Sequence, residues 1–256
     1  MRVTWAGATN VGMKRTLNED AFLLLPEESL FCVADGMGGH ASGEVASRIA
    51  VEEMAEFFRV TGRDEDATWP FREDPARSYD ENRLITGIKL ANVRIHERGQ
   101  SDAKLRNMGT TLVSAFLPRG GDGALVGHVG DSRVYHWRRG AIRQVTEDHS
   151  LLNDYIKSKK LTPEEIQAFP HKNVIVRALG MRPHVEVDLL RERLEPEDVL
   201  LLCCDGLTGM VPDPKIAEII RGHPGDLQSA CDALVAAANE AGGVDNITCV
   251  LVQAHA

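Results

Sequence analysis

Long hydrophobic runs are missing from this sequence of 256 residues. No uninterrupted apolar stretch approaches the roughly 20 residues that a membrane-spanning helix needs. The first ten residues, MRVTWAGATN, also lack the apolar segment of a signal peptide. We therefore expect no membrane partner and a cytoplasmic location.

The sequence also has no C-x-x-C pair, and its basic residues, 29 Lys and Arg, are fewer than its 38 Asp and Glu. The five cysteines show no C-x-x-C spacing, which argues against zinc and redox sites, and most lie in apolar runs typical of a buried core. The formal net charge of −9 disfavours nucleic acid as a partner. No G-x-x-x-x-G-K-[ST] segment occurs, so a P-loop is excluded. The cysteines are Cys32, Cys203, Cys204, Cys231 and Cys249.

What remains is the composition of an ordinary globular protein, with 43% hydrophobic and 26% charged residues. We expect one domain over residues 1–256 and a monomer, since nothing indicates an oligomer seam. Short apolar runs joined by short turns predict antiparallel strands, because parallel neighbours need long crossovers. The predicted strands are Val3–Ala8, Ala21–Leu25, Leu30–Ala34, Thr110–Leu117, Ala124–Val129, Arg133–Trp137, Ala141–Val145, Val185–Leu190, Val199–Cys204 and Ile247–Gln253.

Helices alternate with these strands at a few places. Ser42 is a good N-cap for an amphipathic helix reaching Phe58, and Ser78-x-x-Glu81 is a capping box before a second helix. Residues 61–79 read as a surface loop and residues 147–172 as short helices. Two more helices are predicted near 214–221 and 226–241. The pattern predicts an α/β protein with antiparallel sheets.

A glycine cluster after the third strand raises a nucleotide-binding alternative. Gly36-x-Gly38-x-x-Ala41 satisfies a loose dinucleotide-binding pattern. However, its third glycine is Ala41, and the acidic residue expected about 20 positions later falls at Glu56, inside a helical pattern. The repeated βαβ alternation is also missing, so we disfavour this alternative.

Acidic residues at strand ends are the more informative feature. Asp35, Asp131 and Asp205 each follow an apolar strand beside a glycine, and Asp245 stands before the last strand. Any one of them could be simple turn chemistry. Four such aspartates together favour one shared site that binds positive charge. Because all their ligand atoms are oxygens, they would select Mg²⁺ or Mn²⁺ over zinc.

A further charged segment supports this interpretation. Glu19 and Asp20 add two carboxylates just before a strand, and Arg15 beside them is suited to bidentate phosphate binding. These motifs resemble those of the metal-dependent protein serine/threonine phosphatases (the PPM or protein phosphatase 2C family), and in particular its bacterial branch. The matching motifs, in order over residues 15 to 248, are Arg15-x-x-Asn18-Glu19-Asp20, Asp35-Gly36-Met37-Gly38-Gly39, Gly109-Thr110-Thr111, Gly130-Asp131-Ser132-Arg133, Thr146-x-Asp148-His149-Ser150, Cys204-Asp205-Gly206 and Asp245-Asn246-x-Thr248.

The resemblance implies an α+β fold: a four-layer αββα sandwich with two central antiparallel β-sheets flanked by helices, and a small flap near residues 150–180 beside the cleft. It implies two ions of Mn²⁺ or Mg²⁺, with a third site as in bacterial members. Asp35 would bridge the two ions, Asp205 and Asp245 would complete the first site, and the Gly36 carbonyl with Glu19 would serve the second. Asp20 would be a ligand or a neighbour of one, and Asp131 with Asp205 would form the third site.

The implied activity is hydrolysis of phosphoserine and phosphothreonine on proteins by a metal-bridging hydroxide, opposing bacterial Ser/Thr kinases. Arg15 would hold the substrate phosphate. Met37 departs from the histidine of many eukaryotic members, so a metal-bound water or His40 would protonate the leaving group, and we favour the water. We expect hydrogen-bonding support from Thr110, Ser132 and Asn246. Two alternatives stay open: a non-catalytic phosphoprotein-binding module, and a phosphatase specialised for a regulator in a partner-switching pathway.

Overall fold

The computed structural model describes residues 2–38, 42–64, 68–159, 162, 165–166 and 174–256. Its first sheet has five strands in the order β1-β11-β10-β7-β8, and all neighbours are antiparallel. These strands are β1 (Arg2–Asn10), β7 (Arg133–Arg138), β8 (Ala141–Gln144), β10 (Val199–Cys203) and β11 (Ile247–His255). The first and last strands of the chain are therefore direct neighbours.

The second sheet has six strands, with β2-β3-β5-β6-β9 in line and β4 paired to β3, again all antiparallel. They are β2 (Asp20–Leu25), β3 (Leu30–Met37), β4 (Gly109–Thr110), β5 (Leu112–Phe116), β6 (Gly123–Val129) and β9 (Asp188–Arg193). Short 3₁₀ turns at Pro26–Glu28 and Ala103–Leu105 join neighbouring elements.

Three apolar clusters arrange these elements in four layers. Side chains such as Phe31, Val113 and Leu200 meet between the two sheets. The outer face of the second sheet packs on α1 (Ser42–Arg63) and α2 (Tyr79–Ser101), and that of the first sheet on α5 (Asp213–Gly222) and α6 (Leu227–Glu240). The predicted αββα sandwich of two antiparallel sheets is confirmed.

Local signals account for the helix starts. The Ser78 hydroxyl accepts from the Glu81 amide at 3.2 Å, and the Glu81 carboxylate accepts from the Ser78 amide at 2.9 Å, so the predicted capping box is present. Asp226 caps α6 by accepting from the Ser229 amide at 3.1 Å. The five cysteines are buried and free, as expected.

Three predicted strands differ in detail. β3 continues through Asp35 to Met37, where a turn was predicted, because Gly36 and Met37 pair with β4. The strand predicted over Thr110–Leu117 is interrupted at Thr111, whose hydroxyl accepts from the Asp35 amide. β9 begins at Asp188 rather than Val185, since its pairing with β6 starts there.

The segment between β8 and β9 lies beside one end of the sandwich. It contains α3 (Leu151–Lys159), and its two described ends are joined by a bridge between Ser150 and Ile175. Part of the predicted flap, residues 160–161, 163–164 and 167–173, lies outside the described residues. Among the helices that the structure describes, none is long and apolar enough to cross a membrane.

Candidate metal centre

Five aspartates from distant parts of the sequence converge at one end of the sandwich. Asp20 begins β2 and lies directly opposite Asp35 in the β2–β3 register. Asp131 occupies the turn between β6 and β7, and Asp205 is the first residue of a short helix, α4 (Asp205–Thr208), immediately after β10. Asp245 precedes β11. Antiparallel pairing thus brings predicted ligands that are up to 225 positions apart (245 − 20) into one cluster.

Asp35 is the centre of this cluster. Its burial raises the pKa of its carboxyl well above the ordinary value, and the charges of Asp20, Asp205, Asp131 and Asp245 raise it further. Each of these four carboxylates is therefore close enough to repel Asp35 through the protein interior.

The pKa values of Asp20 and Asp205 are raised in the same way. Burial raises the pKa of Asp20 to about 7, although the Thr248 hydroxyl donates to its Oδ2 at 2.6 Å. Burial and the charge of Asp245 raise the pKa of Asp205, partly offset by a hydrogen bond with Asp35. Each shift disfavours the charged form of the carboxylate, an effect that an added cation would offset.

The carboxylate oxygens of this cluster fit divalent cations. Asp20 Oδ1 and Asp131 Oδ1 are buried and have no hydrogen-bond partner among the described residues. Burial raises the pKa of Asp131 to about 7, and the charge of Asp205 adds to the rise. A buried oxygen without a donor is costly, and a hard cation such as Mg²⁺ or Mn²⁺ is a partner that would satisfy it.

Arg15 lies at the open side of the cluster. Its guanidinium donates to Asp245 Oδ2 at 2.7 Å, and its side chain is 50% exposed. This hydrogen bond raises the pKa of Arg15, so the group stays cationic. One contact leaves most of its N–H donors available to an oxyanion arriving from solvent.

Glu19 is fixed between β3 and α1. Its Oε1 accepts from the Gly43 amide at 3.2 Å, and its carbonyl accepts from the Gly36 amide at 3.1 Å and the Ser47 hydroxyl at 2.6 Å. Burial raises the pKa of Glu19. A Cβ on Gly36 would overlap the carbonyl oxygens of Gly43 and Glu19, so only glycine permits this close approach.

Asn246 holds the loop that carries Arg15 and Glu19. Its Nδ2 donates to the carbonyls of Val11 at 3.0 Å and Leu17 at 2.9 Å, and its Oδ1 accepts from the Glu19 amide at 2.8 Å. The side chain is buried, so these contacts connect the start of β11 with the loop before β2. We predicted only a supporting role for Asn246.

Two neighbours of the cluster were not predicted as site residues. The Cys204 Sγ lies with carboxylate oxygens of Asp20 and Asp35 inside one group whose atoms are within 4.8 Å of one another. Burial raises the pKa of the Cys204 thiol well above its usual range, so it remains a thiol and accepts from the Thr248 amide at 3.1 Å. The sequence signal was adjacency: Cys204 precedes Asp205, and Thr248 belongs to the motif of Asp245.

Hydroxyl side chains make hydrogen bonds around the backbone of Asp35. The Thr110 hydroxyl lies 2.9 Å from the Asp35 carbonyl, and the Thr111 hydroxyl lies 2.7 Å from that of Ser132. Since Thr111 also accepts from the Asp35 amide at 3.1 Å, this network fixes the backbone that carries Asp35. His40 lies outside the described residues.

Asp148 and His149 hold the turn of Asp131. Asp148 makes a bidentate ion pair with Arg133, the shorter contact measuring 2.7 Å. His149 Nδ1 accepts from the Gly130 amide at 3.0 Å, and its own amide donates to the Gly130 carbonyl at 2.8 Å. Both residues are therefore structural supports of the cluster.

Comparison with known proteins identifies the family of this αββα sandwich with its carboxylate cluster. The family model of protein phosphatase 2C matches residues 12–251. The chain is 37% identical to "Protein phosphatase PhpP" of Streptococcus pneumoniae over 248 residues, which cover 95% of this chain and 94% of that protein. The chain belongs to the protein phosphatase 2C family.

Solved structures agree with this assignment. The phosphatase PstP/Ppp of Mycobacterium tuberculosis superposes with a TM-score of 0.85 at 29% identity, covering 99% of both chains. A structure of the PstP catalytic domain in complex with 2 manganese ions gives a TM-score of 0.81 at 29% identity, again over 99% of both chains. The predicted family is confirmed, and a metal-bound member shares the fold over nearly its whole length.

Proposed function

We propose that this chain hydrolyses phosphoserine and phosphothreonine esters of proteins in the cytoplasm and opposes Ser/Thr kinases there. The observation that carries the proposal is the buried carboxylate cluster beside Arg15. We treat residues 1–256 as one phosphatase domain that acts as a monomer, with residues 150–180 as its flap.

We assign the ligands as follows. Asp35 with Asp205 and Asp245 would hold one divalent cation, and Asp35 with Glu19 and the Gly36 carbonyl would hold a second. Support comes from the central position of Asp35, whose pKa is raised by burial and then by the neighbouring carboxylates. When bound, Mn²⁺ or Mg²⁺ would neutralise the substrate's negative charge and activate a water as the nucleophile at neutral pH.

A third cation would be held by Asp131 with Asp205. The unpartnered Asp131 Oδ1 supports this assignment, as does the charge of Asp205 acting on Asp131. Asp20 also has a buried, unpartnered oxygen, and we place it as a ligand or as a direct neighbour of the Asp35 site.

The chain's own residues then act on the substrate. Arg15 binds and orients the phosphate through N–H groups not used by Asp245, and stabilises charge on the equatorial oxygens during in-line attack. Met37 lines the cleft but has no proton to give. A water in the cleft, rather than a side chain of β3, therefore protonates the leaving oxygen.

The test is phosphate release from a phosphothreonine peptide with and without Mn²⁺. Asp35→Asn removes the shared ligand charge, and we expect a loss of at least about a hundredfold in kcat, as for other transition-state electrostatic groups. Asp232→Asn on α6 is the matched control, because among the described residues its surface carboxylate accepts a hydrogen bond only from Gln228. Activity that survives chelation, or an Asp35→Asn variant as active as Asp232→Asn, would refute the proposal.

A further inference from the structure

Two adjoining cavities share lining residues, and the first of them is lined by Met37, two residues after Asp35. The first, about 560 Å³, begins at Met37 and continues between α3 and residues 175–188. The second, about 500 Å³, lies between residues 71–77, the first half of α2 and residues 184–187. His184 and Glu186 line both cavities. We call the second cavity the α2 groove.

The α2 groove carries an excess of positive charge. Lys89 and Arg72 line it, and neither has an ion-pair partner within the described ranges. Of its two acidic residues, Asp74 already pairs with Arg77 at 3.3 Å, and Glu186 lies 3.8 Å from Arg177. This local excess stands out in a chain whose formal net charge is −9.

Apolar side chains complete the groove. Phe71, Ile85 and Val187 line it together with the cations. An apolar floor edged by unpaired cations suits an extended polypeptide with acidic groups better than a small ligand, because the two cavities together form a long open cleft. Each residue of an extended chain spans roughly 3.3 Å, so a peptide whose phosphate reaches Arg15 could place later residues in the groove.

Electrostatics also favour an acidic segment at this place. The carboxylate cluster repels an acidic peptide until cations are bound, whereas the α2 groove attracts it at all times. Arg182, exposed in the first cavity and without an ion pair in the parts of the chain that the structure describes, is one of three cations that line this cavity, against five carboxylates. The excess of positive charge is therefore confined to the α2 groove.

We propose that the α2 groove binds an anionic segment of the phosphoprotein substrate, and that Lys89 and Arg72 select substrates with carboxylates or a second phosphate near the reacting residue. This inference rests on the proposed phosphatase function and adds the class of substrate sequence. The shared chemistry is an anionic group on an extended chain, contributed either by acidic side chains or by another phosphorylated residue.

The test uses three phosphothreonine peptides that differ only at positions about three to eight residues from the phosphothreonine, which an extended chain places roughly 10–26 Å away. One carries glutamates there, one a single phosphoserine and one alanines. We measure kcat/KM with Mn²⁺ for the wild type, Lys89→Glu, Arg72→Glu and the control Lys215→Glu. Lys215 lies on α5, on the other side of the sandwich, and within the described part of the chain it forms an ion pair only with Glu218.

We expect the wild type and Lys215→Glu to prefer the glutamate or phosphoserine peptide over the alanine peptide by roughly three- to tenfold, as for exposed charge contacts. Lys89→Glu and Arg72→Glu should remove or reverse that preference for the anionic peptides. Preference only for phosphoserine would identify phosphate as the source of the anionic group, and preference for both would show that carboxylates suffice. An unchanged ratio in both variants would overturn the proposal.

Binding measured by fluorescence anisotropy separates this inference from the proposed activity. The labelled glutamate peptide should bind Asp35→Asn more weakly once Lys89→Glu is added, whether or not any peptide is hydrolysed. If no peptide is hydrolysed but binding still depends on Lys89 and Arg72, the phosphatase function is rejected and the proposal for the α2 groove stands. Hydrolysis with binding insensitive to Lys89 and Arg72 would reject the groove alone.

Discussion

Asn246 offers a sharp test of how the candidate metal centre is held together. Asn246→Ala removes its hydrogen bonds to the carbonyls of Val11 and Leu17 and to the Glu19 amide. A net contribution of about 0.5–1.5 kcal/mol per hydrogen bond gives a loss of about 3 kcal/mol in the free energy of unfolding. The loop of Glu19 would also lose its fixed position, so Mn²⁺ affinity should fall about tenfold or more.

A second buried asparagine provides a matched control. Asn82 is 6% exposed, like Asn246, and its Nδ2 donates to the carbonyls of Asp74, Arg77 and Ser78. Asn82→Ala therefore breaks a comparable set of backbone contacts, in the turn before α2 rather than in the loop that carries Glu19. Urea unfolding in EDTA measures the stability of both variants, and calorimetric titration with Mn²⁺ measures their affinity.

We expect both variants to be destabilised by similar amounts and only Asn246→Ala to lose Mn²⁺ affinity. If Asn246→Ala binds Mn²⁺ as tightly as Asn82→Ala does, the loop does not need this side chain for its position. If its unfolding free energy in EDTA is within about 0.5 kcal/mol of the wild type, the hydrogen-bond argument itself is wrong.

Two further predictions concern stability. Burial raises the pKa of Asp131 to about 7 from near 4 in the unfolded chain, so the metal-free native state binds more protons between those values and loses stability as pH rises through about 7. The melting temperature in EDTA should therefore fall from pH ~5.5 to ~7.5, and it should fall by less in Asp131→Asn. Equal slopes for the wild type and the variant would contradict this prediction. Gly36→Ala should cost about 3 kcal/mol, because its Cβ would overlap the carbonyls of Gly43 and Glu19. The control Gly222→Ala, with no atom within 4 Å, should be neutral or slightly stabilising, and equal urea midpoints for the two variants would disprove the overlap.

Much of the fold could be predicted because its signals are local. The capping box at Ser78 and Glu81, the N-cap at Asp226 and the short turns between apolar runs each depend on a few neighbouring residues. β9 was misplaced because Val185 and Val187 continue the apolar alternation, while the strand is decided by its pairing of Asp188 with His128 in β6. Such a register is a property of two distant segments.

The candidate site was predictable in its members but not in its contacts. Each aspartate next to a glycine at a strand end could be found in the sequence, yet Arg15 and Asp245, which form an ion pair at 2.7 Å, are 230 positions apart. The order of strands in the two sheets decides which ends meet, and before the structure only the family resemblance implied that these residues share one site. The α2 groove was not predicted, because Lys89 and Arg72 look like ordinary surface charges until α2 and residues 184–187 are placed together.

The pairing of β1 with β11 has a consequence for how the enzyme is made. β11 lies between β1 and β10, so the first sheet cannot form completely until β11 has been synthesised. Asp245 and Asn246, which complete the cluster and hold its loop, are translated about 210 positions after Asp35. Contacts of such long range also make folding slow. A nascent chain that has not yet reached β11 therefore has an incomplete carboxylate cluster.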